Sequence, residues 1–287
     1  MMPPLVNQTL KSLTNQNFLA NFLQCDRDTL RLLKSDMMYD VYTTPRTGRK
    51  NREVQAPKEQ LKNAQNILKK EFAREELPQW VMCAKKRGHI RNALAHAGKG
   101  KYVIKLDVTN FYGSCRSEYI YNLFHHHEGY GLSKGVSSTL TQIVTYRGFL
   151  PTGAPTSPYL AFLAYRQCFD EIYRITLAHK FHMTLFADDI TLSFQRDACL
   201  SCYWIQRRIK DILERYGLNL NDSKTKFYPS NRIKNITGIP VADSYLRPPN
   251  KTLKKMHDAR HHSDQGNKEV IKGCTNYLEA IENENHR

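Results

Sequence analysis

Apolar residues fall at helical spacing along some stretches of this 287-residue chain and alternate with polar ones along others, which predicts a mixture of helices and strands. Phe18, Phe22, Leu30 and Leu33 give residues 1–40 two or three short helices. Pro45 and Gly48 predict a turn between short strands. Residues 52–57 read as extended, because the residue before Pro57 avoids the helical region. Leu61, Ala64, Leu68 and Phe72 share one helical face. Residues 102–107 predict a strand ending on the carboxylate of Asp107, followed by a helix around Ser117 to Phe124. A turn at Gly153 to Pro155 leads into a helix with Ser157 as N-cap and Pro158 at its first position. Its apolar stripe runs from Tyr159 through Phe162, Leu163, Phe169 and Ile172 to Tyr173. Met183 to Ala187 and Ile190 to Phe194 predict two strands joined by a tight acidic turn at Asp188-Asp189. In the second strand Ile190, Leu192 and Phe194 alternate with Thr191 and Ser193, the period of a half-buried sheet. Ile205, Ile209, Ile212, Leu213 and Tyr216 predict a helix that Gly217 stops. Residues 227–241 read as short strands, and the tail from Arg247 as basic helix.

Charge adds a partner to this picture. The chain holds 43 Lys and Arg against 27 Asp and Glu, a formal net charge of +16. Such a surplus repels itself in a compact state, and nucleic acid is the natural polyanion to neutralise it. The seven cysteines are odd in number and irregular in spacing, which argues against a disulfide framework. Cys199 and Cys202 form a C-x-x-C without a second pair at zinc-binding spacing. His125 to His127 and His261-His262 read as solvated or RNA-facing surface. The N-terminus lacks a signal-peptide pattern, and no apolar run reaches the length of a membrane span, so a cytoplasmic protein is expected.

Chemistry concentrates on three carboxylates. Two consecutive aspartates in a turn between apolar strands raise each other's pKa, and a divalent cation relieves the repulsion. Two Mg²⁺ ions about 3.5–4 Å apart activate an attacking hydroxyl and stabilise departing pyrophosphate, provided several carboxylates converge. Asp107 supplies the third carboxylate and the Val108 carbonyl a further ligand. Tyr112 is placed to exclude a ribose 2′-hydroxyl by a clash. Gly153 allows close backbone approach. Lys50, Arg52, Lys85, Lys86 and Arg87 are candidates for gripping phosphates.

Four segments in order resemble the motifs of reverse transcriptases. Lys105 to Tyr112 is similar to their first aspartate motif and Pro151 to Pro158 to their P-Q-G-x-x-x-S-P motif. Phe186-Ala187-Asp188-Asp189 is similar to their Y/F-x-D-D box, and Gly217 to Thr225 to their G-x-x-x-N-x-x-K-T motif. Asn92-Ala93-Leu94-Ala95-His96 resembles the N-A-x-x-H motif of retron reverse transcriptases, and Ile236-Thr237-Gly238 their V-T-G triplet.

The resemblance implies an α+β right-hand polymerase fold with fingers, a palm of antiparallel sheet plus helices, and a short helical thumb. It divides the chain into 1–100 (N-terminal helices and fingers), 101–235 (palm, with a fingers insertion near 115–150) and 236–287 (thumb). It implies two Mg²⁺ ions, dNTPs, and a cognate structured non-coding RNA primed from a guanosine 2′-hydroxyl. The product would be a branched RNA–DNA (msDNA), with an anti-phage role alongside an effector protein. Carried over, Asp107, Asp188 and Asp189 bind metal, and Lys224 (or Lys226) assists pyrophosphate departure. Arg52, Tyr112, Thr152, Gly153 and Ala154 bind nucleotide. Asn92, His96, Thr237 and Gly238 serve RNA recognition. Thr152, Asn110 and Phe186 depart from the usual Gln, Asp and Tyr, which puts the Gln contact to the sugar in doubt. Alternatives are a group II intron-like or diversity-generating reverse transcriptase, or a non-catalytic RNA-binding scaffold.

Overall fold

The computed structural model of the chain describes residues 9–45, 51–83, 85–195, 199–242, 244–261 and 266–286. Gly48, Lys50 and His262 lie outside the described residues. In chain order the elements are α1 (Gln16–Phe22), α2 (Arg27–Leu32), β1 (Tyr39–Thr44), β2 (Arg52–Pro57), α3 (Glu59–Phe72) and α4 (Gly88–Leu94). They continue with β3 (Tyr102–Asp107), α5 (Phe111–Ser114), α6 (Ser117–His125), α7 (Lys134–Val144), α8 (Ser157–Ala164) and α9 (Arg166–Ala178). Next come β4 (His182–Phe186), β5 (Asp189–Phe194), α10 (Cys199–Arg215), β6 (Lys226–Tyr228), β7 (Lys234–Ile236) and β8 (Ile239–Val241). The last two are α11 (Asn250–His261) and α12 (Gly266–Asn285). Helices and antiparallel sheets are thus mixed along the chain, as an α+β class requires.

The chain folds as two compact units. The first comprises residues 1–77, 109–170 and 213–218. Its β1–β2 hairpin pairs Tyr39 with Pro57 through Thr44 with Arg52. Leu61, Ala64, Leu68 and Phe72 of α3 are buried as their spacing predicts, and so is Gln65. The Gln65 Nε2 amide donates to the Tyr39 hydroxyl and the Ile143 carbonyl, each at 2.8 Å, while its Oε1 is buried without a partner among the described residues. The apolar stripe from Tyr159 to Tyr173 does not form one helix, because α8 ends at Ala164 with Tyr165 as its C-cap and α9 begins at Arg166. Tyr165 is fully buried, and its hydroxyl accepts from the Arg116 backbone N–H at 2.9 Å, so the break serves a tertiary contact. The cap also sits one residue earlier than predicted. Thr156 is the N-cap of α8, and the Ser157 hydroxyl donates to the Pro151 carbonyl at 2.7 Å.

The second unit comprises residues 78–108, 171–212 and 219–287. Its centre is a four-stranded antiparallel sheet in the order β4-β5-β3-β6. Period-2 alternation sorts the side chains onto two faces. Ile104, Leu106, Leu185, Ile190 and Leu192 share the apolar face and are buried. The opposite face carries Val103, Lys105 and Asp107 on β3, Asp189, Thr191 and Ser193 on β5, and His182 and Thr184 on β4. The prediction of a half-buried β5 fails here: Thr191 and Ser193 are as buried as Ile190 and Leu192. Asn92 and His96 cover the part of this face around Thr184 and Ser193, whereas the Asp107–Asp189 end keeps some exposure. A buried cluster beyond α4 joins Ile90 and Ala93 to Ile236, Ile239, Val241 and Ile281.

Leu106 has no exposed surface and faces away from the carboxylates. Leu106→Ala is expected to lower unfolding free energy by about 2–5 kcal/mol, read by urea denaturation. A loss below about 1 kcal/mol would place this face outside the cooperative core.

Candidate active site

Register brings the carboxylates together. Asp107 ends β3 and pairs directly with Asp189 at the start of β5, so both side chains leave the same face. β4 and β5 are joined by a two-residue turn, Ala187-Asp188, because Phe186 pairs with Asp189. The predicted turn is therefore displaced by one residue. Asp188 occupies the tip and Asp189 belongs to the strand. Ala187 takes a left-handed φ of 54°, a strained conformation for a residue with a Cβ and one that accumulates at functional turns. The ends are tied by backbone bonds: Val108 N–H donates to the Asp188 carbonyl at 2.9 Å, and Asn221 N–H to the Asp107 carbonyl at 2.7 Å. Val108 itself is buried.

Two lysines oppose the carboxylates. Lys224, in a short 3₁₀ turn after α10, places Nζ 2.6 Å from Asp107 Oδ1. Lys105, on the sheet face between Val103 and Asp107, places Nζ 3.2 Å from Asp189 Oδ2. Lys105 was not singled out by the sequence reading. Its signal was available, since two positions before Asp107 in a strand is the same face. Lys226 pairs with Lys105 across β3–β6 and is exposed. Asp188 has its pKa raised, first by burial and then by the neighbouring Asp107 charge, with Asp189 adding to it and Lys224 opposing. Among the described residues no group of three Cys, His, Asp or Glu side chains is arranged to hold a metal ion. The donor chemistry nonetheless fits a hard divalent cation: three carboxylates adjoin, and burial together with the neighbouring charges disfavours the ionised form of Asp188.

The predicted nucleotide-binding residues belong to the first unit. Arg52 is exposed at the start of β2. Three residues on, Gln55 supports the turn that holds the other candidates. Its Oε1 accepts from Thr152 N–H at 3.0 Å and its carbonyl from Gly153 N–H at 3.2 Å. A Cβ on Gly153 would lie 2.7 Å from the Gln55 carbonyl oxygen. The glycine is therefore required for close approach to β2. Ala154 is buried, and Tyr112 is half-buried beside Phe111, ring centres 5.5 Å apart.

Asn92 and His96 lie under the polar sheet face with 0% and 1% exposure. Direct contact with RNA, expected from their motif, is not available to side chains so enclosed. Thr237 and Gly238 form the β7–β8 turn, both with positive φ. The Thr237 hydroxyl donates to the His89 carbonyl at 2.6 Å, while Gly238 is exposed and a Cβ there would meet nothing within 4 Å. Of the predicted phosphate grips, Lys85 donates to the Gln79 carbonyl and Arg87 faces the buried Glu284.

Because the folded pKa of Asp188 is raised, its ionisation opposes folding. That part of stability is present at low pH and is lost as pH rises through the raised pKa. In EDTA, Asp188→Asn is expected to raise the melting temperature at neutral pH. The gain should shrink as pH falls into the ordinary carboxylate range. A gain that ignores pH would assign the effect to packing.

Comparison with known proteins agrees with this geometry. A family model described as "Reverse transcriptase (RNA-dependent DNA polymerase)" matches residues 44–241. The chain is 26% identical to the Retron Ec86 reverse transcriptase of Escherichia coli, over 98% of this chain and 89% of that protein. It is 32% identical to the Retron Se72 reverse transcriptase of Salmonella heidelberg (strain 579083-10), over 62% of this chain and 47% of that protein. It spans about half the length of the Retron Mx162 reverse transcriptase of Myxococcus xanthus, at 25% identity. Among solved structures, a foamy viral protease-reverse transcriptase in complex with RNA/DNA hybrid is similar with TM-score 0.49 and 15% identity, covering 83% of this chain and 27% of that one. No helix among the described residues is long and apolar enough to cross a membrane. The chain belongs to the reverse transcriptase (RNA-dependent DNA polymerase) family, with its right-hand polymerase fold.

Proposed function

We propose that this chain copies part of a cognate structured non-coding RNA into single-stranded DNA in the cytoplasm. Priming from a guanosine 2′-hydroxyl yields a branched RNA–DNA, and the product acts with an effector protein in anti-phage defence. The observation that carries the polymerase chemistry is the pairing of Asp107 with Asp189 beside the Asp188 tip, in a chain of net charge +16. Retron relatives support the template class.

Asp107, Asp188, Asp189 and the Val108 carbonyl would hold two Mg²⁺ ions, which supply Lewis-acid activation of the attacking hydroxyl and neutralise charge on the leaving pyrophosphate. The remaining roles fall to the chain. Lys224 donates a proton to the leaving group once it parts from Asp107. Arg52 pairs with the triphosphate, and the Thr152 to Ala154 turn lines the nucleotide. Tyr112 excludes the ribose 2′-hydroxyl by volume. Thr152 is shorter than the usual Gln, so sugar contact rests on the backbone held by Gln55. Thr237 and Gly238 present the exposed turn to the RNA. In the right-hand division, 1–100 supply N-terminal helices and fingers, 101–235 the palm and 236–287 the thumb.

Purified protein with its co-purifying RNA, dNTPs and Mg²⁺ is expected to make cDNA joined to RNA by a branch, detected by sequencing the product. Asp188→Ala and Asp189→Ala should each abolish synthesis and leave RNA binding intact. A double variant as active as the parent protein would remove these residues from the site. Tyr112→Ala should relax discrimination against ribonucleotides, measured as the ratio of kcat/KM for dNTP and NTP. An unchanged ratio would return Tyr112 to a packing role.

A further inference from the structure

The enclosed N-A-x-x-H residues are hydrogen-bonded to two strands at once. His96 Nδ1 is 2.9 Å from Ser193 Oγ on β5, and Nε2 is 2.7 Å from Thr184 Oγ1 on β4. The Thr184 hydroxyl donates to Asn92 Oδ1 at 2.6 Å. A threonine hydroxyl has one hydrogen, so toward His96 it can only accept. The ring therefore carries its hydrogen on Nε2, and Nδ1 accepts from Ser193. The four side chains make one directed chain, from Ser193 to His96 to Thr184 to Asn92. Burial holds the imidazole pKa well below the usual value, with His182 and Lys105 acting in the same sense, so the ring is neutral as this chain requires.

The chain grips both legs of the hairpin, Thr184 opposite Thr191 and Ser193 opposite His182. Thr184 stands four residues before Asp188, and Ser193 four residues after Asp189. The start of α4 meets the same hairpin. A Cβ on Gly88 would lie 2.0 Å from the Met82 carbonyl oxygen, which requires glycine there, and at ordinary contact distance, 3.4 Å, from the Phe186 ring. Met82 N–H in turn donates to the Leu185 carbonyl at 2.8 Å. The other side of α4 holds the Thr237–Gly238 turn through the Thr237–His89 bond. It also meets α12, where His89 stacks on Tyr277 and Arg91 lies 3.6 Å from Glu284.

We propose that Asn92 and His96 are positioning residues: through Thr184 and Ser193 they fix both legs of the Asp188–Asp189 hairpin to α4, and α4 couples that hairpin to the Thr237–Gly238 turn. The proposal rests on reading the chain as a polymerase. Stability alone is a poor account of the polar chain. Asn92 Nδ2, Thr191 Oγ1 and His182 Nε2 are buried near it without a partner among the described residues. Unpaired buried polar atoms are destabilising, and apolar side chains of like volume would fill the space at less expense. Directed hydrogen bonds instead fix distance and angle, which a site that must hold two aspartates in register needs.

The test uses Thr184→Val, Thr184→Ser and Ser193→Ala in the full chain. Extension is measured on the co-purifying RNA and on oligo(dT)-primed poly(rA). Thr184→Val keeps volume and loses the hydroxyl, whereas Thr184→Ser does the reverse. Thr184→Val and Ser193→Ala should lower kcat about tenfold to hundredfold on both templates. Thr184→Ser should keep kcat, and all three should leave the Kd for the co-purifying RNA unchanged. Thr237→Val combined with Thr184→Val should be non-additive in log kcat on the co-purifying RNA. A raised Kd with unchanged kcat on poly(rA) would return Asn92 and His96 to RNA recognition. Equal impairment of Thr184→Ser and Thr184→Val, or a change in melting temperature alone, would reduce the chain to packing. Additivity would overturn the coupling to Thr237. Parent protein that extends neither template would instead overturn the underlying polymerase reading.

Discussion

Mutual repulsion of three carboxylates is the constraint that organises the second unit. Two unit charges about 4 Å apart interact by roughly 4 kcal/mol at an effective dielectric near 20. Direct pairing of Asp107 with Asp189 sets such charges face to face, with Asp188 at the adjoining tip. An isolated hairpin could relieve this by slipping register or splaying. Here the register is enforced by an apolar face that a one-residue slip would expose. Lys105 pairs with Asp189 and Lys224 with Asp107, yet burial and then the Asp107 charge still raise the Asp188 pKa.

Enclosure of the polar sheet face follows from the same constraint. A sheet with one apolar and one solvated face would leave the hairpin legs free to move on the solvent side. In this chain α4 and the segment through His96 close that side, and the burial of Thr184, Thr191 and Ser193 marks where they do so. The strained Ala187 at the tip is tolerated because both legs are anchored. The first unit shows a comparable device. Gln55 serves the Pro151 to Ala154 turn with both its side chain and its carbonyl, so β2 sets the backbone of the proposed nucleotide turn.

The helices and strands whose apolar period was long were legible: α3, β3, β5 and α10 lie where the pattern put them. Short or weakly patterned elements were not. Gly88–Leu94 sits in a basic, glycine-containing stretch and is helical because of what it packs against. The α8–α9 break lies inside a continuous apolar stripe and reflects the contact of the Tyr165 hydroxyl with Arg116, which local periodicity does not encode. The Asp188 turn was misplaced by one residue because alternation constrains facing and leaves open which residue reverses the chain. Lys105 was missed for a different reason: its place two residues before Asp107 gives the shared face, but that spacing alone does not separate an ion-paired lysine from a solvated one.

By itself, the sequence determined the chemistry of the site. Residue identity at Asp107, Asp188, Asp189 and Lys224 is local information, and motif order along the chain identified the family those residues serve. Only the tertiary structure decided which side chains face each other and which are shut from solvent. It turned Asn92 and His96 inward, paired Lys105 with Asp189, and made Gly153 an accommodation to Gln55. The physical reason is that burial and pairing depend on distant segments, such as α4 with β4 and β5, whose approach is set by packing of the whole unit. No window of sequence contains both partners.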